Sequence, residues 1–168
     1  MTSANERPEL SIVVPLYNES ANVEILHARL SATLTNLGRS SEIIYVDDGS
    51  ADGTADILKR LHAGSRGVKV VVLNRNYGQH AAVLAGFDRA AGEVVVTLDG
   101  DLQNPPEEIP RLLEKIDEGY DVVGGWREER RDSALRRFFS FAANRLAARV
   151  VGVEMNDYGC MLRAYRRG

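Results

Sequence analysis

Residues 93–103 read EVVVTLDGDLQ, and this stretch decides how the rest of the chain is interpreted. Its apolar first part is typical of a buried β-strand, and Asp99 and Asp101 follow where such a strand leaves its sheet. In an open α/β sheet, ligands bind outside the carboxyl ends of the strands. Two adjacent carboxylates repel each other unless a cation relieves them, and Mg²⁺ or Mn²⁺ suits such oxygen ligands. Taken alone, the acidic triplet is more typical of a turn with two solvated acids, so the surrounding sequence has to decide.

The length and composition fit one globular domain. The chain has 168 residues, and its hydrophobic fraction of 44% and charged fraction of 27% are ordinary for such proteins. Cys160 is the single cysteine, which excludes an internal disulfide and a cysteine-rich metal site and fits a reducing compartment. No stretch reaches the roughly 18 consecutive apolar residues of a membrane span. Residues 1–9 are polar and are expected to form a flexible N-terminus.

Charge is distributed unevenly along the chain. The formal net charge is −3, which by itself predicts no nucleic-acid partner. Residues 127–168, however, contain 10 of the 21 basic residues and only 5 of the 24 acidic ones. We therefore expect the last quarter of the chain to meet something anionic.

Apolar runs alternate with amphipathic segments. The runs predict strands at 10–16, 42–46, 68–73, 93–98 and 121–124, with a further strand expected at 158–164. Helical spacing predicts helices at 20–37, 52–61, 78–90, 105–118 and 133–151, with Asp52 as an N-cap. This alternation is typical of α/β proteins in which a mostly parallel sheet carries helices on both faces. No repeat or linker divides residues 10–168, which are expected to form a single domain.

Polar clusters follow three of the predicted strands. They contain, in chain order, Pro15, Tyr17 and Glu19, then Asp47 and Asp48, and finally Asp99 and Asp101. Because the carboxyl ends of parallel strands meet at one edge of a sheet, we expect the acids to converge on one crevice. Tyr17 and Pro15 offer a base a flat surface, and Asp47 or Asp48 can accept hydrogen bonds from a base or a ribose.

Each cluster also has a purely structural explanation. Asp, Gly and Ser favour turns, a proline can end a strand, and a tyrosine can pack as an ordinary aromatic. Their occurrence at three strand ends favours a site for a nucleotide and a metal. No G-x-G-x-x-G follows the first strand and no G-x-x-x-x-G-K-[ST] is present, which argues against a dinucleotide oxidoreductase and a P-loop ATPase. The histidines are scattered, and none of them, His80 included, is predicted to be catalytic.

Six motifs carry a family resemblance. They read VPLYNE at 14–19, VDDGS at 46–50, NRNYG at 74–78, LDGDLQ at 98–103, NPPEEIP at 104–110 and NDYGCMLRAYRR at 156–167. In this order they resemble family 2 glycosyltransferases, and most closely the branch of that family that acts on polyprenyl phosphates. The resemblance covers about residues 10–167 and is specific as a set, because several motifs occur in the family's order.

The resemblance implies a GT-A fold with a Rossmann-like nucleotide-binding half. It implies an inverting transfer of a sugar from a nucleotide donor, UDP in particular, to a polyprenyl phosphate such as undecaprenyl phosphate. Nucleotide contacts are implied at Pro15, Tyr17, Glu19, Asp47 and Asp99, with Asp48 added by the analysis of strand ends. Metal coordination is implied for Asp101, with help from Asp99 and Gln103, and phosphate contacts for Arg127 and Arg136. Asp101, Arg127 and Asp157 are the predicted catalytic residues.

Two features depart from the family's pattern. Gly100 stands where alanine is common, and members of this branch continue into membrane-associated helices. The chain is therefore expected to be a catalytic domain that ends before those helices. The expected location is cytoplasmic, at the inner face of the membrane, with a role in modifying cell-envelope lipopolysaccharide.

The predicted helix at 133–151 has a basic amphipathic pattern. Its apolar residues recur at helical spacing, and Arg136, Arg137 and Arg145 flank them. Helices of this kind lie on anionic lipid surfaces. A core helix with solvated arginines fits the same pattern.

The predicted chemistry is stabilisation of charge on a leaving diphosphate. A cation at Asp101 would stabilise that charge as a Lewis acid, and arginines of the basic segment would add to the effect. A phosphomonoester carries about −1.5 to −2 charge at pH 7 and is already a nucleophile, so Asp157 is expected to orient groups and not to act as a strong base. Two alternatives stay open: transfer to a glycan hydroxyl, which needs a general base, and nucleotide-sugar binding without turnover. A nucleotidyltransferase is a weaker third alternative, because no glycine-rich phosphate loop opens the chain.

Overall fold

A computed structural model of the chain describes residues 7–125 and 160–167. Its strands are β1 (Leu10–Leu16), β2 (Ser41–Asp47), β3 (Val68–Val72), β4 (Val94–Thr97), β5 (Val122–Gly124) and β6 (Arg163–Arg166). Its α-helices are α1 (Val23–Leu37), α2 (Thr54–Gly64), α3 (Gln79–Phe87) and α4 (Ile109–Asp117). A 3₁₀ turn at Pro106–Glu108 leads directly into α4.

The described strands form one sheet in the order β3-β2-β1-β4-β6-β5. Strands β1 to β4 are parallel, and β6 runs antiparallel to both of its neighbours, β4 and β5. In the register of the sheet, Leu16 of β1 lies beside Asp47 of β2. The carboxyl ends of β1, β2 and β4 therefore lie close together. The loops that follow these strands lie at the same end of the sheet.

Helices cover both faces of this sheet, as the alternation of elements predicts. Ile12 and Val14 of β1 belong to a core cluster with residues of α1, α2 and α4, whereas Val13 points to the opposite face. There it packs with Ala82 of α3 and with Ile44 of β2. Burying each such aliphatic side chain fully contributes about 1.5–3 kcal/mol, so the apolar strands hold the two layers together.

The predicted strands that fall on described residues are present, and the bounds of several elements differ from the prediction. The helix expected at 20–37 begins at Val23, and the one expected at 105–118 is divided into the 3₁₀ turn and α4. The strand expected at 158–164 is observed at Arg163–Arg166. Gly53, not Asp52, occupies the N-cap position of α2, although the Asp52 carboxylate still accepts the backbone N–H of Thr54 at 3.1 Å. The predicted helix at 133–151 lies outside the described residues.

A buried carboxylate links neighbouring strands at the end of the sheet opposite the acidic loops. Glu42, at the beginning of β2, accepts hydrogen bonds from the Ser11 hydroxyl at 2.7 Å and from the backbone N–H of Ala91 at 2.8 Å. Lys69 of β3 forms an ion pair with it. Burial alone would raise the pKa of Glu42, but the bonds from Lys69, Ala91 and Ser11 together hold that pKa below its usual value.

Candidate active site

The loops that follow β1, β2, β3 and β4 enclose a cleft of about 380 Å³. Its described lining comprises Pro15, Leu16, Tyr17, Glu19, Asp48, Asn76, Gly78, Gln79, Ala82, Asp99, Gly100, Asp101 and Met161. The polar clusters that the sequence places after three strands thus lie around one cavity. The β3–α3 loop and Met161, just before β6, add walls that the sequence analysis does not predict.

The loops after β1 and β2 are interlocked by side-chain bonds to backbone. The N–H of Asn18 donates to the Ser50 hydroxyl at 2.8 Å, and the N–H of Ala51 donates to the Asn18 side chain at 2.9 Å. Asn18 has a φ of 56°, a left-handed conformation that asparagine tolerates better than most residues. Tyr17 and Glu19, which flank it, are therefore presented to the cleft by a loop with fixed geometry.

Asp52 completes this connection from the other side. Its carboxylate accepts the N–H of Ser20 at 2.9 Å and the Thr54 hydroxyl at 2.6 Å. The Thr54 hydroxyl oxygen in turn accepts the N–H of Glu19 at 3.0 Å. Desolvation is the largest single effect and raises the pKa of Asp52, but the hydrogen bonds from Thr54 and Ser20 together outweigh it and lower that pKa well below its usual range.

Asp47, the last residue of β2, and Asp48, which follows it, have different positions. Asp47 is 1% exposed, its carboxylate faces the N–H of Ser50 at 3.4 Å, and it does not line the cleft. Asp48 is 3% exposed and lines the cleft, and its two oxygens accept the N–H groups of Tyr77 at 2.8 Å and Gly78 at 2.9 Å. Asp48 therefore fastens the β3–α3 loop to the end of β2.

Gly49 permits this close approach of the two loops. Its φ is +71°, and a Cβ atom placed on it would lie 2.5 Å from the carbonyl carbon of Arg75. The obstacle is backbone, which cannot move aside as a flexible side chain can. Only glycine therefore fits the turn that brings Asp48 to its partners.

The acids of the 99–101 triplet differ in environment. Asp99 is half-buried, and its carboxylate accepts hydrogen bonds from the amides of Gln79 and Asn104. Asp101 is exposed, and one of its oxygens accepts the backbone N–H of Gln103 at 3.0 Å. The side chain of Gln103 is exposed and does not line the cleft, so the contact it makes here comes from its backbone.

The described lining of the cleft is strongly acidic. Glu19, Asp48, Asp99 and Asp101 face it, and none of the described lining residues is Lys, Arg or His. Within residues 7–125 and 160–167, no group of three or more His, Cys, Asp or Glu side chains is placed to hold a metal ion. The triplet fits a cation that takes one or two protein carboxylates and completes its shell with phosphate oxygens and water, as Mg²⁺ usually does.

Several predicted site residues fall outside the described residues. They are Arg127, Arg136 and Asp157, which belong to the segment 126–159. Their predicted roles in phosphate contact and catalysis therefore stay predictions. His80, by contrast, is described: it is exposed and is not among the residues that line the cleft.

Sequence reasoning missed the amides that surround the acids. Gln79 and Asn76 line the cleft. The buried Asn104, which is not among the lining residues, donates a hydrogen bond to Asp99. All three stand in the NRNYG and NPPEEIP segments or next to them, so the motifs contain the signal. An amide side chain is uncharged, so it adds nothing to a charge pattern and indicates no particular metal. Only the tertiary contacts show the role of these amides.

The fold is similar to that of solved transferase structures. One is the mannosyltransferase PcManGT from Pyrobaculum calidifontis in complex with GDP-Man and Mn²⁺, with a TM-score of 0.70, 20% identity and coverage of 97% of this chain and 46% of that one. Another is glucosyl-3-phosphoglycerate synthase from Mycobacterium tuberculosis with Mn²⁺, UDP and phosphoglyceric acid, with a TM-score of 0.68, 24% identity and coverage of 95% and 56%. The fold is thus the GT-A glycosyltransferase fold, as predicted.

Sequence comparison then gives the family. The family described as Glycosyl transferase family 2 matches residues 11–168, and the chain belongs to it. The undecaprenyl-phosphate 4-deoxy-4-formamido-L-arabinose transferase of Pseudomonas paraeruginosa is 56% identical over 161 residues, covering 94% of this chain and 47% of the relative. The enzyme of that name from Klebsiella pneumoniae strain 342 is 52% identical over 160 residues, covering 95% and 49%.

These relatives confirm the resemblance to the polyprenyl-phosphate branch. The chain spans about half the length of the curated relatives it matches. Among its described helices, none is both long and apolar enough to cross a membrane.

Proposed function

We propose that this domain transfers a sugar, with inversion, from a nucleotide donor to a polyprenyl phosphate, with undecaprenyl phosphate as the acceptor and UDP as the donor nucleotide. The observation that carries the proposal is the meeting of Asp99 and Asp101 with Tyr17, Glu19 and Asp48 around one cleft. The names of the relatives, which are more than 50% identical, support the acceptor.

The nucleotide would lie across the loops after β1 and β2. Tyr17 is 48% exposed although it is aromatic, and with Pro15 it offers a base a flat apolar surface. Glu19 lines the same cleft and can accept hydrogen bonds from ribose hydroxyls. Asp48 orders the β3–α3 loop, and the buried Asp47 carboxylate accepts the N–H of Ser50. Direct nucleotide contacts for Asp47 and Asp48 are part of the proposal.

The diphosphate would lie at the acidic triplet. Asp101 is exposed, and Asp99 lines the same cleft, so both offer oxygen ligands to Mg²⁺ or Mn²⁺, with Gln103 beside them. When bound, such a cation supplies Lewis-acid stabilisation of the charge on the leaving diphosphate. The Mn²⁺ in the mannosyltransferase and in the glucosyl-3-phosphoglycerate synthase supports a divalent ion here.

The acceptor phosphate is proposed to be bound by arginines of the basic segment at 127–168. Arg127 and Arg136 are proposed to grip phosphate oxygens, because a guanidinium matches phosphate with two parallel hydrogen bonds. The acceptor oxygen is an anion and needs no strong base, so Asp157 is proposed to orient the reacting groups. A membrane surface carrying the lipid, facing the cytoplasm, is the proposed place of reaction.

A transfer assay with undecaprenyl phosphate and a panel of UDP-sugars tests this function. We expect a metal-dependent glycolipid of inverted anomeric configuration with one of the sugars, and loss of that product in Asp101→Ala. Full metal-dependent turnover by Asp101→Ala would overturn the role of the triplet. Binding of UDP and Mn²⁺ by calorimetry without any product would favour the alternative of a binding domain without turnover.

A further inference from the structure

The Asp99 carboxylate is held between two side-chain amides from different elements. Gln79, the first residue of α3, donates its Nε2 to one oxygen, and Asn104 donates its Nδ2 to the other at 3.1 Å. A carboxylate only accepts hydrogen bonds, so both amides must turn their NH₂ groups toward it. Each oxygen of Asp99 therefore has a donor that fixes its direction.

The orientation of Asn104 is fixed from its other end as well. Asn104 is 3% exposed, and its Oδ1 accepts the thiol of the buried Cys160 at 3.5 Å. Cys160 lies where the described chain resumes before β6. The amide thus connects Asp99 to the strand that enters the sheet beside β4.

Gln79 is placed by a second set of bonds. The Asp48 carboxylate holds the N–H groups of Tyr77 and Gly78, the two residues that precede Gln79. The start of α3 is therefore tied to the end of β2, and the Gln79 side chain reaches from there to Asp99 across the cleft. The acid at the end of β4 is joined in this way to β2, to α3 and to the region before β6.

We propose that Gln79 and Asn104 are positioning residues that hold the Asp99 carboxylate in the orientation a divalent cation and its nucleotide require. This inference rests on the proposed function. Hydrogen-bonding partners of metal ligands typically change metal affinity or activity by about 10- to 100-fold when they are removed. Replacing either donor with an acceptor of the same size would turn two negative groups toward each other and displace Asp99.

The test measures how much Mn²⁺ strengthens binding of UDP. Calorimetry on the full chain gives the dissociation constant for UDP with and without Mn²⁺, and their ratio is the metal-dependent gain. We expect Gln79→Glu and Asn104→Asp each to lower this gain by about tenfold or more. Charge-matched controls are His80→Glu, one residue further along α3, and Asn74→Asp, at a position whose side-chain oxygen accepts the Tyr77 hydroxyl; both are expected to keep the gain within about twofold.

Thermal melting separates positioning from a merely structural role. A structural role lowers the melting temperature and leaves the ratio of the two dissociation constants unchanged. Gln79 is exposed, so Gln79→Glu is expected to fold and carries the test even where the buried Asn104→Asp does not. A normal gain in Gln79→Glu would overturn the inference alone, whereas absence of UDP binding by the unaltered chain with Mn²⁺ would overturn the proposed function with it.

Discussion

Gly49 sets the distance between the loops that follow β2 and β3. Replacement by alanine would strain its φ of +71° and also force a Cβ atom against the backbone of Arg75. We expect Gly49→Ala to lower the free energy of unfolding by about 2–5 kcal/mol, the sum of left-handed strain and overpacking. Urea denaturation measures this change.

Gly53 provides the matched control for that prediction. Its φ is +94°, but a Cβ atom there would meet nothing within 4 Å. Gly53→Ala should therefore cost only the conformational strain, about 1–2 kcal/mol. Equal losses in the two variants would show that the contact with Arg75 does not constrain the loop.

Gly100 lies against the buried Leu16 at the end of β1. A Cβ atom on Gly100 would overlap the Cδ2 atom of the buried Leu16. Gly100→Ala should destabilise the chain by about 1–3 kcal/mol through overpacking. Combined with Leu16→Val, the loss should be smaller than the sum of the two single losses, as a double-mutant cycle measures. Additive losses would contradict the contact.

At the residue scale, charge was easier to predict than hydrogen-bonding context. Asp99 and Asp101 were expected at one crevice because polar clusters follow three strands whose carboxyl ends meet, and both line the cleft. Asp47 and Asp48 look alike in sequence, yet only Asp48 reaches the lining. The backbone of the neighbouring loop decides which of two adjacent carboxylates turns toward that loop. The spacing of residues in the sequence does not contain this information.

The buried Glu42 connects β1, β2 and β3 at the edge remote from the cleft. Glu42→Gln should lower the free energy of unfolding at neutral pH by about 1–3 kcal/mol, because its partners lose a charged acceptor. The folded pKa of Glu42 is lowered from 4.5, so its contribution is complete above pH 4.5 and is lost as pH falls through the folded value. Urea denaturation of both chains across this range measures the difference.

An exposed acid serves as the control for that pH dependence. Glu24 pairs with Arg60 at 3.2 Å, and its side chain is 66% exposed. Glu24→Gln should change stability by no more than about 1 kcal/mol. A difference between Glu42→Gln and the unaltered chain that stays constant below pH 4.5 would show that ionisation of Glu42 does not stabilise the sheet.

At the scale of elements, β1 to β5 were predicted more closely than the helix ends, whereas β6 begins five residues later than predicted. The run at Leu10–Leu16 is buried throughout, and its predicted bounds match the observed ones. The start of α1 was placed three residues early, because residues 18–20 bond to the loop after β2 instead of continuing the helix. Such long-range bonds to loop backbone leave no periodic signal in the sequence.

At the scale of the molecule, ligand binding should be visible as stabilisation. UDP with Mn²⁺ at about 100 times its dissociation constant should add about 2.7 kcal/mol and raise the melting temperature by about 5–10 °C. Differential scanning fluorimetry measures the shift. Mn²⁺ alone should give a smaller one, and the same full shift in Asp101→Asn would contradict metal-assisted binding at the triplet.

The position of β6 has a consequence for the order in which the protein is built. β6 separates β4 from β5 in the sheet, yet it follows both of them in the sequence and is the last of the described strands. During synthesis, which proceeds from the N-terminus, β4 cannot pair with β6 until residues 163–166 leave the ribosome. Met161, a wall of the cleft, arrives with them. A nascent chain halted before that point would contain the loops that follow β1, β2 and β4 but would lack one wall of the cleft.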